Sequence, residues 1–212
     1  LDKVRFVRGD ILDTRRLSQA CQGMNVMIHL AAFVDEPFTY SQHTQYDQVN
    51  AYGALAVTRA LEENPGIQRL VHLSSSAVYG FREGIDPADA PNPQNGYALS
   101  KRRGEQYLEG FTAWSGISFA LLRAAHIFGY NRTCRFDTLV HRMAFEALTG
   151  GRISLYGSGK QVRPFVALAP TEALSKRVRR WAAGVLVTGC RGGASGRLLR
   201  GAGALPLLMA QL

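Results

Sequence analysis

The sequence predicts an α/β fold with a parallel sheet, and two observations support that prediction. Short apolar segments alternate with stretches of helical spacing through most of the first 166 residues. Three of these segments, at residues 26–32, 70–74 and 118–123, are almost uninterrupted apolar runs. Such runs are typical of strands buried on both faces of a parallel sheet, and their alternation with helices is typical of right-handed crossovers.

The first predicted elements are a strand and a helix. Residues 4–7 alternate apolar and charged side chains and lead into Gly9 and Asp10, which predicts a short strand and its turn. Asp13 stands where a helix N-cap is expected, and Gly23 follows the last helical position. A short helix is therefore predicted between these two residues.

Helices and strands continue to alternate after the apolar run at 26–32. The later predicted elements are a helix over 45–63, a strand over 70–74, a Pro-rich loop over 81–96, a helix over 97–114, a strand over 118–123, a helix over 136–148 and a short strand over 153–156. After about residue 170 the alternation stops, and Arg, Gly, Ala and Leu dominate with weak periodicity.

The formal net charge of +9 suggests nucleic-acid binding, but the distribution of charge argues against it. The last 46 residues carry seven basic side chains and one acid, Glu172, so most of the excess lies in this tail. A basic tail can contact phosphates, yet Trp181 is its single aromatic side chain for stacking on bases. We therefore expect no specific nucleic-acid partner.

The cysteines and the hydropathy predict a cytoplasmic protein. Cys21, Cys134 and Cys190 are odd in number and far apart, and no Cys-x-x-Cys pair is present, so neither a disulfide framework nor a zinc site is indicated. No apolar run is long enough to span a bilayer, and no charged-then-apolar leader opens the chain.

The strongest chemical signal is the pair Tyr97 and Lys101. Residues four apart on a helix share one face, so the lysine ammonium can lie near the phenol. A phenol has an ordinary pKa of about 10, and a neighbouring cation lowers it, which makes the tyrosine a usable acid or base near neutral pH. Alone, the pair also fits a half-buried tyrosine beside a surface lysine.

Hydroxyl side chains strengthen the functional interpretation of that pair. Ser74, Ser75 and Ser76 lie at the end of the strand predicted over 70–74. Active sites of open α/β sheets lie at the carboxyl ends of strands, although serines there are often turn residues. The serines precede Tyr97 by about 20 residues, a separation that one crossover unit permits.

Taken in order, these segments resemble the extended short-chain dehydrogenase/reductase family, in its NAD-dependent epimerase/dehydratase group. The resemblance covers about residues 3–166. The matching segments are Gly9-Asp10-Ile11, Ile28 to Ala32, Asn50 to Gly53, Ser74 to Gly80, Tyr97 with Lys101, Leu122-Arg123 with Ile127 to Gly129, and Tyr156 to Gly159 with Arg163. Their common order and spacing are specific to the family.

The resemblance implies a catalytic set of three side chains. Ser75 would hydrogen-bond the substrate oxygen, Tyr97 would exchange the proton, and Lys101 would hold the nicotinamide ribose and lower the tyrosine pKa. NAD would carry the hydride. NADP stays open as the cofactor, because the acidic residue of the family's second strand, which distinguishes the two, is absent from the sequence.

The resemblance also implies binding residues. For the cofactor these are Asp10, Ile11, Leu30, Ala31, Ala32, Asn50, Ser74, Tyr97 and Lys101, with Asp10 and Ile11 bordering the adenine. For the substrate, which would be a nucleotide sugar, they are Ser75, Ser76, His126 and Arg163. A guanidinium suits the diphosphate because its planar fork binds oxygens in pairs, although an exposed loop charge fits Arg163 equally well. No metal site is expected, and helices 45–63 and 97–114 would form a homodimer contact.

Two positions bear on the type of reaction. Dehydratases of the family carry an acidic pair directly after the catalytic hydroxyl, where this chain has Ser76 and Ala77. The sequence therefore predicts an epimerase or reductase rather than a dehydratase. A second resemblance, to 3β-hydroxysteroid dehydrogenases, rests on residues 20–23 and 28–35, and a non-catalytic relic or NAD-binding protein is the third alternative.

The family's cofactor-binding glycine turn is absent from the sequence. Members open with a strand and a Gly-x-x-Gly-x-x-Gly turn that binds the pyrophosphate on backbone N–H groups, and the 212 residues contain no such motif. Because the chain starts at Leu1 and not at Met, we expect an N-terminally truncated, Rossmann-like sheet that lacks its first βαβ unit, with a partial substrate-binding region. We also expect residues 1–212 alone to bind NAD poorly or not at all.

The predicted domains follow from this comparison. Residues 1–130 would form a partial dinucleotide-binding domain, and residues 131–166 a partial substrate-binding region. Residues 167–212 would form an atypical basic tail. This tail would be disordered or the product of a shifted reading frame, and a genuine divergent basic segment is the alternative.

Overall fold

The computed structural model describes residues 5–34, 44–82, 84–129, 135–155 and 163–168, together with the backbone of 185–188. Its elements are α1 (Thr14–Cys21), β1 (Val26–His29), α2 (Gly53–Glu63), β2 (Arg69–Ser75), α3 (Gly96–Ser115), β3 (Ser118–Ala124), β4 (His126–Phe128), α4 (Leu139–Gly150), β5 (Phe165–Ala167) and β6 (Val185–Thr188). A π-helical segment, Asp47–Tyr52, leads into α2, and a 3-10 turn, Ser76–Tyr79, follows β2.

The strands form two sheets. The larger has the order β1-β2-β3-β6, and the smaller pairs β4 with β5. β1 and β2 run parallel with His29 beside His72, and β4 and β5 are also parallel. The chain divides between Arg123 and Ala124 into two compact units. Parallel strand pairs connected through helices confirm the α/β fold predicted from the sequence.

Side-chain caps fix the starts of the helices that matter for the site. Asp13 Oδ1 accepts a hydrogen bond from Arg16 N at 3.0 Å and begins α1, as predicted. Asn95 Oδ1 accepts from Ala98 N at 2.8 Å, so α3 begins directly before Tyr97. Both caps satisfy a backbone N–H that the helix itself leaves without a partner.

The hydrophobic core of the first unit packs α1, α2 and α3 against the sheet. Its buried members are Cys21, Ala54, Val57, Ala60, Leu61, Ile67, Leu70, Leu108, Phe111, Phe119 and Leu121. Burying a large aliphatic or aromatic side chain contributes roughly 1.5–3 kcal/mol relative to leaving it exposed. Towards the carboxyl end of β2 the buried face changes from apolar to polar, with His72 and Ser74 following Leu70.

Two predicted strands are wrong. Residues 5–7 are not in a strand, and the Phe6 side chain is 76% exposed. Residues 153–155 are also outside any strand. Alternation of apolar and polar residues makes a strand only where a neighbouring strand completes the ladder, and none of the described residues supplies one for either segment.

The expectation that the first apolar run is buried on both faces is also wrong. β1 ends at His29, and its residues Val26 and Ile28 are 49% and 59% exposed, whereas Met27 packs against the core and His29 is buried. Successive side chains of a strand point to opposite faces. One face of β1 is therefore packed against the core of the first unit, and the other is half exposed among the residues described.

The contact between α3 and the π-helical segment yields a prediction that compares two glycines of one helix. A Cβ at Gly104 would lie 2.6 Å from the backbone oxygen of Asn50, whereas one at Gly110 would have nothing within 4 Å. We expect Gly104→Ala to lower the free energy of unfolding by about 1–3 kcal/mol, because the helix must move away. Gly110→Ala should raise it by about 0.5–1 kcal/mol through helix propensity. Urea unfolding measures both, and a Gly104→Ala protein as stable as Gly110→Ala would contradict the close approach.

Candidate active site

The carboxyl ends of β1 and β2 lie side by side and carry several of the predicted site residues. Leu30, Ala31 and Ala32 directly follow β1 and are half-buried. Ser74 and Ser75 end β2. Because the two strands are parallel and in register at His29 and His72, both segments leave the sheet at the same edge.

Asn50 ties this edge to α3. Its Oδ1 accepts from Phe33 N at 2.7 Å, and its Nδ2 donates to Phe33 O at 3.1 Å and to Ser100 Oγ at 3.0 Å. Ser100 Oγ in turn donates to the carbonyl of Tyr97 at 2.8 Å. Asn50 is buried within the π-helical segment, so its amide joins the chain after β1 to the helix that carries Tyr97. Ser100 was not among the residues singled out in the sequence, because a serine between Tyr97 and Lys101 has no distinguishing pattern.

Lys101 is one of the buried charged groups in the described part of the chain. Its side chain is 2% exposed, and Nζ donates to the carbonyl of Leu73 at 2.8 Å. Burial lowers the pKa of this amine from 10.5 to about 8, against an opposing effect of the Glu105 carboxylate. The ammonium has three N–H donors, and the bond to Leu73 uses one of them.

Tyr97 lies one helical turn before Lys101, at the start of α3, and is half-buried. Its ring meets the ring of Tyr46 edge-on, with centroids 5.9 Å apart, and Tyr46 in turn packs against Phe33 at 5.4 Å. Edge-to-face pairs at such distances are favourable arrangements for aromatic rings. Sequence analysis did not identify Tyr46 as a site residue. Its position one helical turn before Asn50 indicates that the two side chains share a helix face, and this spacing could have identified it.

The serines differ in their surroundings. Ser75 Oγ accepts from Ala77 N at 3.2 Å and so caps the 3-10 turn that Ser76 opens, and Ser75 and Ser76 are half-buried. A hydroxyl that accepts one hydrogen bond can still donate its own proton. Ser74 Oγ is buried and has no hydrogen-bond partner among the described residues.

Two histidines stack beneath the site. The rings of His29 and His72 have centroids 4.7 Å apart and an interplanar angle of 27°. Both are buried, which confirms the interpretation of these histidines as core residues. Burial first, and then the charge of Lys101, lowers the pKa of His29 to about 3, and the same two causes hold the pKa of His72 well below its usual range. Both imidazoles are therefore uncharged beside the lysine at neutral pH.

The set of predicted residues also includes Asp10 and Ile11 of the first unit and His126 and Arg163 of the second. Asp10 is exposed in the turn before α1, where its Oδ1 accepts from Leu12 N at 2.9 Å. Ile11 is half-buried and packs against Gly53, because a Cβ added at Gly53 would lie 3.1 Å from Ile11 Cγ1. His126 and Arg163 belong to the second unit, and both side chains are exposed. The structure thus brings together the β1 and β2 ends, Asn50, Tyr97 and Lys101.

The described residues contain neither a metal-binding cluster nor a helix fit to span a membrane. No group of three or more His, Cys, Asp or Glu side chains there could hold a metal ion. No helix in that same part of the chain is both long enough and apolar enough to cross a membrane.

Comparison with known proteins decides the family. The model of the NAD dependent epimerase/dehydratase family matches residues 1–169. The chain belongs to this family.

The curated relatives include proteins named as epimerases and proteins named as dehydratases. An uncharacterised UDP-glucose epimerase of Bacillus subtilis is 27% identical over 167 residues, which cover 77% of this chain and 51% of the relative. The dTDP-glucose 4,6-dehydratase of Mycobacterium tuberculosis is 26% identical over 183 residues, which cover 84% of this chain and 54% of the relative. This family member therefore spans about half the length of these relatives.

Solved structures show the same fold. The UDP-glucuronic acid 4-epimerase of Bacillus cereus, in complex with UDP-glucuronic acid and NAD, has a TM-score of 0.69 at 27% identity over 77% of this chain and 51% of that one. A double mutant of the dTDP-glucose 4,6-dehydratase of Streptomyces venezuelae, with NAD bound, has a TM-score of 0.69 at 25% identity over 77% and 50%. The α/β architecture is thus that of known Rossmann-like family members.

The stacked histidines predict how stability depends on pH. Each has a folded-state pKa lowered from an ordinary value of 6.5, so below that pH the unfolded chain takes up protons that the folded chain does not. The free energy of unfolding should therefore fall as the pH is lowered from 6.5 towards the folded-state pKa, which is about 3 for His29, by up to about 1.4 kcal/mol per pH unit for each imidazole. Urea unfolding of His72→Gln should show a smaller slope against pH.

The matched control for this experiment is His126→Gln, because His126 is exposed. This variant should retain the slope of the unaltered protein. Equal slopes for His72→Gln and the unaltered protein would contradict a buried, uncharged pair.

Proposed function

We propose that this chain carries the proton-transfer machinery of an NAD-dependent sugar-nucleotide epimerase or reductase. The observation that carries the proposal is the buried ammonium of Lys101. It uses one of its three N–H donors on the carbonyl of Leu73, and it lies one helical turn after Tyr97. A buried cation is costly unless it has partners. A buried lysine on the helix that carries Tyr97, bonded to the strand that ends in Ser74 and Ser75, therefore favours a catalytic use.

The residues present fit the nicotinamide half of the cofactor. Two remaining N–H donors of Lys101 suit ribose hydroxyls, and Ala31 and Ala32 leave room for a flat ring at the strand end. Leu30, Asn50 and Ser74 would complete this part, with Asp10 and Ile11 towards the adenine. When bound, NAD takes up and returns the hydride, and NADP is the alternative cofactor. No Gly-x-x-Gly-x-x-Gly turn for the pyrophosphate is in the sequence, so we propose weak NAD binding by residues 1–212 alone.

In the proposed mechanism three side chains act on one sugar hydroxyl. Ser75 donates its O–H to the substrate oxygen. Tyr97 takes the proton from that oxygen as the carbon is oxidised, and returns it on reduction. The charge of Lys101 lowers the cost of the phenolate, and this effect is larger in a buried site than in water because the effective dielectric constant is lower.

The absence of a carboxylate after Ser75 supports an epimerase or reductase over a dehydratase. Elimination of water from the sugar needs an additional acid and base. Neither Ser76 nor Ala77 has a carboxyl group that could take this role. We propose a nucleotide sugar as substrate because the relatives are named for UDP-glucose and dTDP-glucose. Arg163, whose side chain is exposed, would bind the diphosphate, and His126 would contact the sugar.

We also propose a homodimer in the cytoplasm. The π-helical segment and α3 pack together and expose the large apolar side chains of Tyr52 and Leu99, at 53% and 40%. Exposed apolar groups on neighbouring helices favour a contact with a second copy. The compartment is proposed from the cysteines of the sequence, which are odd in number and far apart.

The proposal predicts the effect of removing single hydroxyl groups from the natural full-length protein that contains this sequence. Tyr97→Phe should lower kcat about 10²- to 10⁴-fold, because the group that exchanges the proton is gone. Ser75→Ala should lower kcat about 10²- to 10³-fold, because it removes one donor to the reacting oxygen. The measurement is turnover of UDP-glucose, UDP-glucuronic acid and dTDP-glucose with NAD, with products separated by chromatography.

Tyr107→Phe, in an exposed position of α3, is the control and should keep full activity. Full activity of Tyr97→Phe would remove this tyrosine as the acid and base. Conversion of dTDP-glucose to a dehydrated product would contradict the proposed reaction class.

A further inference from the structure

A buried ionic network lies next to the candidate active site and has no role in the mechanism above. Arg123 donates from Nε to Glu105 Oε1 at 3.0 Å and from Nη2 to Glu105 Oε2 at 2.7 Å. Its remaining terminal nitrogen, Nη1, donates to Tyr79 Oη at 2.8 Å. The arginine and glutamate side chains are 5% and 0% exposed, and Tyr79 is fully buried.

The net contribution of such a network to the stability of a fold is small, because its charged groups lose their hydration. Removing two charges from water costs several kcal/mol per ion, and apolar side chains of similar volume often serve stability as well. Here the planar arginine fork satisfies both carboxylate oxygens, and Arg102 Nη1 adds a third bond to Glu105 Oε2 at 2.9 Å. The cost is therefore accompanied by a fixed geometry, which suggests that the network positions something.

Its members belong to three segments, of which one directly follows Ser75 and another carries Tyr97 and Lys101. Tyr79 closes the 3-10 turn that begins directly after Ser75. Glu105 lies on α3 one helical turn after Lys101. Arg123 lies near the end of β3 and bonds to both, so it holds the turn after Ser75 against the helix of Lys101.

The hydroxyl of Tyr79 has a second bond that extends the network to the start of α3. It donates to the carbonyl of Pro87 at 3.1 Å, in the loop that leads to Tyr97. The same loop is bonded to the turn through Asn92 N and Val78 O at 2.8 Å. At Gly80, with a φ of +77°, a Cβ would lie 2.4 Å from Asn92 O, so the two segments are in close contact.

We propose that Tyr79 is a positioning residue that fixes the turn of Ser75 relative to Tyr97 and Lys101. The assignment rests on the proposed function of those three residues. Tyr79 acts through its phenol oxygen, which accepts from Arg123 and donates to Pro87, while its ring stays in place beneath the guanidinium, whose Cζ is 4.8 Å from the ring centroid. Misplacement of reacting groups by about 1 Å can cost about 10²-fold in rate.

The test is Tyr79→Phe in the natural full-length protein, with Tyr107→Phe as the matched control. Tyr79→Phe keeps the ring over Arg123 and leaves every proposed catalytic group intact, but it removes both hydroxyl bonds. We expect kcat to fall about 10- to 100-fold with the substrate KM changed less than about twofold, and the effect of deuterium at the oxidised carbon on kcat to increase. Tyr107→Phe should change none of these values.

Hydrogen exchange provides a readout that needs no turnover. In Tyr79→Phe the amide of Asn92, bonded to Val78 O, should exchange at least about tenfold faster at a temperature where the protein remains folded, because the loop has lost its tie at Pro87. Unchanged exchange would overturn the assignment whether or not the protein is active. Faster exchange with unaltered kcat would also overturn it, because the network would then serve stability alone.

The experiments distinguish a failure of the proposed function from a failure of the positioning role. If the unaltered protein turns over none of the sugar nucleotides, that result overturns the proposed function, and the assignment of Tyr79 that depends on it falls as well. If the unaltered protein is active and Tyr97→Phe is not, the kinetics of Tyr79→Phe test the positioning role alone.

Discussion

The bond between the Lys101 ammonium and the carbonyl of Leu73 is the constraint on which the site depends. A charge at this depth costs several kcal/mol unless polar groups replace its water. Glu105 lies one turn away, but its carboxylate is hydrogen-bonded to Arg123 and Arg102. Among the described residues, the lysine therefore has the backbone carbonyl of Leu73 as its hydrogen-bond acceptor. Its charge is thereby kept for whatever binds at the strand end.

Neighbouring groups are arranged around that charge. His29 and His72 stack beneath it and stay uncharged, since a second cation there would repel the ammonium. Asn50 joins the chain after β1 to the helix through Phe33 and Ser100, and the lack of a side chain at Gly104 lets the helix approach Asn50 closely. The packing of α3 thus determines where both the lysine and the tyrosine lie.

Much of this could be predicted from the sequence, for reasons specific to each element. The spacing of Tyr97 and Lys101, and the serines after an apolar strand, are local patterns that report a helix face and a strand end. The strand predicted at 4–7 was wrong because alternation does not reveal whether a partner strand exists. Tyr46, Ser100 and the Tyr79 network could not be predicted, since their roles arise from contacts between distant segments.

Burial lowers the pKa of Lys101 but leaves the amine charged at neutral pH, and NMR can measure this pKa directly. The sequence contains four lysines, so a protein labelled with ¹³C and ¹⁵N at lysine gives few signals, and Lys101→Met assigns the relevant one. We expect this amine to titrate near pH 8, against an ordinary value of 10.5. Titration of Lys101 at the ordinary value would contradict the buried ammonium and the mechanism derived from it.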